Sequence, residues 1–99
     1  MDYVLAMFTA TDQLIDAAMA RALHQDACRD HALVAWVVWQ DHSAYPGRFI
    51  AQLVTTSLLP YVLIGDTLVE VQAQLPPGLV RQNRQPGHAP EVVEVWFAA

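Results

Sequence analysis

The seven residues Leu33–Trp39 read Leu-Val-Ala-Trp-Val-Val-Trp, and they constrain the fold more than any other segment. Side chains alternate across a strand, so a run of β-branched and aromatic residues at every position is apolar on both faces. Such a strand, at residues 33–39, belongs in the middle of a sheet. It has helices over one face and either cover or a partner on the other.

The segments around it supply the rest of a sheet. Tyr45-Pro46-Gly47-Arg48 carries proline and glycine where a type II turn needs a fixed negative φ and then a positive one. A second strand follows at 49–55 and closes a hairpin with the first. Pro60 precedes a short third strand at 61–64. Residues 79–82 form a brief edge strand, and 91–97 close the chain as a strand. In that last strand Val93, Val95 and Phe97 are expected on one face, with Val92, Glu94 and Trp96 on the other. Glu91 and Glu94 are read as solvent-facing.

Two helices complete the pattern. Thr9, Thr11 and Asp12 offer capping groups before an amphipathic stripe. Leu14, Ala18 and Ala22, with Ile15, Met19 and Leu23, place helix 1 at 11–25, with nothing in 26–30 to forbid its extension to His31. Thr67 and Glu70 have the spacing of a capping box, and Leu68, Val71 and Leu75 give helix 2 at 67–75, stopped by Pro76-Pro77-Gly78. The acids Asp66 and Glu70 at its start serve the cap and the helix dipole rather than acid/base chemistry. The order is α-β-β-β-α-(β)-β. Short connections favour antiparallel neighbours, which predicts an α+β domain: a four- to five-stranded antiparallel sheet with both helices on one face.

Residues 35–75, ending in Leu59-Pro60-Tyr61-Val62-Leu63-Ile64-Gly65-Asp66-Thr67-Leu68-Val69-Glu70, resemble the β-β-β-α module of the HicB antitoxin family. That module carries a Leu-Pro segment, a short strand and a Gly-Asp-Thr helix start. The resemblance implies the local fold and a binding role.

Composition sets limits on function. Ninety-nine residues, 55% hydrophobic and 15% charged, make one small folded domain rather than a disordered chain or a coiled coil. The formal net charge is −5 and all five basic residues are arginine. No cluster of cations is available to displace the counterions of a duplex, so direct nucleic-acid binding is not expected. No stretch approaches the ~20 apolar residues that span a bilayer. The apolar run Tyr3–Phe8 lacks the charged start and cleavage site of a signal peptide. Cys28 is the single cysteine, so no disulfide forms within the chain. A cytoplasmic location is expected, and no cofactor.

Candidate sites fall into three groups. Trp36, Trp39, Tyr45, Tyr61 and Trp96 form the aromatic surplus. One of Trp36 and Trp39 must turn away from the helices, which marks the outer sheet face as an interface for a second copy or another protein unless Tyr3–Phe8 covers it. His24, Cys28 and His31 share one side of an extended helix 1 and offer metal ligands, or a thiol with a histidine base. Zinc clips and an oxyanion site are lacking, so neither reading is preferred. The loop Arg81–His88, with Arg81, Arg84 and His88, offers an anion grip against a plain solvated loop. The expected function is therefore a non-enzymatic interaction or regulatory module. The alternative is a small-molecule or metal-binding protein, or a small enzyme, using a pocket beside His24/Cys28/His31 or the Arg81–His88 loop.

Overall fold

The computed structural model describes residues 12–98. Its elements are β1 (Gln13–Leu14), α1 (Ala17–Asp30), β2 (Ala35–Gln40), β3 (Phe49–Val54), β4 (Leu58–Gly65), α2 (Leu68–Gln74), β5 (Leu79–Asn83) and β6 (Val92–Ala98). The strands form one six-stranded sheet in the order β1-β4-β3-β2-β6-β5. As expected, the fold is α+β with β2 in the centre and both helices packed on one face. The sheet has one more strand than expected and is mixed, because β1 runs parallel to β4, Gln13 beside Tyr61 and Leu14 beside Val62. All other pairs are antiparallel.

Helix 1 differs most from its sequence reading. Residues 13–14 are strand, and Asp16 is the N-cap, its carboxylate accepting from the Met19 amide at 2.9 Å. The candidate cap Asp12 therefore lies outside the helix, while Thr9 and Thr11 fall outside the described residues. The helix runs on to Asp30, through the region left open by the sequence. Its buried residues are Ala20 and Ala27, with Leu23 and His24 half-buried beside them, while Ala18, Met19 and Ala22 are exposed. The stripe is displaced because the contact side is the small one: two alanines let the helix lie close to the sheet, and larger side chains are left outside.

Helix 2 starts as its capping box demands. The Glu70 amide donates to Thr67 Oγ1 at 3.2 Å, and Glu70 Oε1 accepts from the Thr67 and Asp66 amides at 3.3 and 2.7 Å. The hairpin turn also forms, with Gly47 at φ +74° and the Arg48 amide donating to the Tyr45 carbonyl at 3.2 Å.

Strand β4 begins earlier than expected and takes Pro60 into it. Its pairing with β3 shifts between Gln52 and Val54, and the lost ladder bond is replaced by Gln52 Nε2 donating to the Leu59 carbonyl at 2.9 Å. A proline without an N–H is tolerated at such an irregularity. A second register shift, between Val38 and Trp39, sets Val38 beside Glu94 but Trp39 beside Val92. The skipped residue exchanges the faces of Val92 and Val93, so Val92 packs with Val95, and Val93 packs with the helix-side core. That is the reverse of strict alternation.

The main core lies between sheet and helices: Val34, Trp36, Val38, Ala51, Leu53 and Leu63 meet Ala20, Ala27 and Val71. A second cluster, Ala35, Val92 and Val95 with Val37, Trp39 and Phe97, lies on the opposite face. Among the described residues no helix packs on that second face. The expected cover by Tyr3–Phe8 concerns residues outside those described.

Candidate functional site

The structure divides the aromatic group between the two faces. Trp36 is fully buried on the helix side, directly across from Trp96. Trp96 packs against the same core, and Tyr61 lies there too. These three therefore do not build an outer face. Trp39 does: it is the member of the Trp36/Trp39 pair that points away from the helices, as strand alternation requires of one of them.

Around Trp39 the second face carries Val37 and Phe97, both half-buried, and Val80 of the edge strand β5, 58% exposed and aligned with Phe97. The hairpin loop leans on the same face. The His42 ring meets Trp39 edge-on with centroids 5.2 Å apart, and Tyr45 follows at 6.2 Å from His42. The Tyr45 hydroxyl donates to Asp12 Oδ2 at 3.3 Å. Burial, and then the Asp12 carboxylate, raise the Tyr45 pKa above its ordinary value. The Trp39 indole nitrogen is buried yet has no hydrogen-bond partner among the described residues. Polar atoms in that state are uncommon, because each forfeits its water without replacement.

The His24/Cys28/His31 group is only partly assembled. His24 Nε2 stands 3.6 Å from Cys28 Sγ, while His31 forms the exposed cap after α1. The other ring nitrogen decides the chemistry. Trp36 Nε1 donates to His24 Nδ1 at 3.1 Å. An indole N–H only donates, so Nδ1 must be the acceptor and the neutral ring carries its proton on Nε2. That nitrogen faces the thiol with a hydrogen and not a lone pair. In this state it neither takes a proton from Cys28 nor ligates a metal. Among the described residues no three His, Cys, Asp or Glu side chains come together as a metal site.

The loop candidates are occupied with their own backbone. Arg84 donates to the Ala89 and His88 carbonyls at 3.4 and 3.2 Å, and His88 Nδ1 accepts from the Gln85 amide at 3.1 Å. Arg81 turns towards Glu94 instead, at 3.6 Å. These contacts order the loop and do not converge on one point.

Sequence reasoning missed Glu94. It is 3% exposed, not solvent-facing, and its Oε2 accepts from Trp96 Nε1 at 2.6 Å and Gln72 Nε2 at 2.8 Å. The available signal was its place among Val92, Val93, Val95 and Trp96, a run with little room for a wet side chain. A cavity of about 440 Å³ opens beside β1 and α1, lined by Gln13, Leu14, Ile15, Asp16, Met19, Leu23 and Tyr61. It shares no lining residue with the histidine group or the arginine loop.

No protein-family model, curated protein or solved structure matches this chain. No helix among the described residues is long and apolar enough to cross a membrane.

Proposed function

We propose that this chain is a non-enzymatic interaction module that associates with a second copy of itself through the second sheet face, at the β2-β6-β5 side around Trp39. The observation that carries this reading is the apolar patch on the second face, where Val37, Trp39 and Phe97 are half-buried beside Val80, 58% exposed, and over which no helix packs among the described residues. Apolar surface on a small domain is stabilised by burial against a partner. Aromatic residues with one polar atom suit that role. On the neighbouring edge strand β5, Gln82 is aligned with Val95 and shares this face with Val80, which gives the surface a polar edge. A regulatory role matches the binding function implied by the HicB-like pattern of residues 35–75.

The test is a charge placed in the surface. Trp39→Arg is expected to keep its far-ultraviolet circular dichroism and to lose association. Unfolding of the variant together with a monomeric parent chain would assign Trp39 to the interior of a monomer and contradict the reading.

A further inference from the structure

The contact between α1 and the sheet contains a proton-dependent element. The fully buried residues of helix α1 are two alanines, Ala20 and Ala27, with Leu23 half-buried against the core, so its apolar hold on the sheet is modest. Its polar tie is the hydrogen bond from fully buried Trp36 to His24 Nδ1. That bond exists only while Nδ1 is unprotonated. Since Nε2 already carries the proton of the neutral ring, the next proton must enter at Nδ1. It would set one N–H against another and leave the buried indole without its acceptor.

The surroundings of His24 offer little to support a charged ring. From its own helix come Cys28, and Arg21 and Gln25, which line with it a cavity of about 130 Å³. From the segment after α2 come Pro76 and Pro77, and from β2 comes Trp36, its ring tilted 35° to the imidazole at 6.4 Å. The titratable group facing the ring is thus a thiol, and the charged one is a cation. No carboxylate among the described residues pairs with it.

We propose that Trp36 and His24 form an acid-sensitive latch: the neutral imidazole fastens α1 to the sheet, and protonation from solvent at Nδ1 releases it. Burial of the ring lowers the His24 pKa, which puts release on the acid side of 6.5. The latch is separate from the Trp39 surface, since the two lie on opposite faces of β2.

The experiment is heteronuclear NMR of the full chain between pH 4.5 and 8. The Trp36 indole resonance is expected to shift with a midpoint below 6.5, and amide exchange across Ala20–Ala27 to quicken at least several-fold beyond the intrinsic pH trend on the acid side. In His24→Asn, whose side-chain oxygen accepts from the indole but does not titrate, both changes should vanish. An indole resonance that does not move, or that titrates alike in the variant, overturns the proposal, as does titration without faster exchange in α1. Should that variant fail to fold, Trp36→Phe replaces it. Loss of the competing donor must then move the His24 midpoint upward, and an unchanged midpoint rejects the latch.

Discussion

Gln72 of α2 donates its side-chain amide to the buried carboxylate of Glu94 in β6 at 2.8 Å, joining the second helix to a strand three places along the sheet from β4, the strand that precedes it. The same oxygen accepts from Trp96. Removing the carboxylate leaves two donors without their partner. Glu94→Ala is therefore expected to cost about 2–5 kcal/mol, and Gln72→Ala, which leaves Trp96 in place, about 1–2 kcal/mol. Urea midpoints of the two variants check the order; equal midpoints would show that the network is not formed.

The α2 cap gives a smaller and more local effect. Thr67→Ala removes the hydroxyl that accepts from the Glu70 amide and should lower stability by about 1 kcal/mol. An unchanged denaturation midpoint would mean that the helix does not begin there.

Gly65 lies against the same cap. A Cβ added there would stand 3.0 Å from Glu70 Cβ and 3.1 Å from Val71 Cγ2, atoms held by the helix itself. Gly65→Ala must push α2 away from β4 and is expected to cost about 1–3 kcal/mol. Thermal unfolding measures it, and a neutral result would show that α2 has room to move.

The strand pattern, the hairpin turn and the α2 cap were legible because each rests on neighbouring residues. Tyr45–Arg48 and Thr67–Glu70 contain their own geometry. What sequence did not show depends on partners far along the chain. The β6 bulge, which exchanges Val92 and Val93, arises from its pairing with β2. The Trp36–His24 bond spans twelve positions and joins a strand to a helix. Helix α1 was misplaced at its start because Leu14 and Ile15 continue an apolar spacing that the backbone spends on a parallel edge pair. Of the candidate site, Trp39 was reachable by alternation, whereas the burial of its indole nitrogen, without a hydrogen-bond partner among the described residues, was not.

His24 also predicts how stability varies with pH. Its folded pKa is lowered by burial, so between that value and the ordinary 6.5 the unfolded chain binds more protons. The stabilisation is fully present above pH 6.5 and is lost as pH falls through the folded pKa. Denaturant midpoints at pH 5 and pH 8 should differ less in His24→Asn than in the parent chain. An identical difference in both would place the dependence elsewhere.

Association through the Trp39 surface is the central claim. Covering the half-buried Val37, Trp39 and Phe97 and the exposed Val80 contributes about 25 cal/mol per Å² of apolar surface removed from water, counted twice in a symmetric pair and reduced by the entropy of association. Sedimentation velocity of the parent chain over a hundredfold range of concentration in the micromolar region measures this directly. A weight-average mass that climbs towards twice the 11.0 kDa of one chain, and stays at one chain for Trp39→Arg, is the predicted result. A single 11.0 kDa species throughout the range would contradict the account.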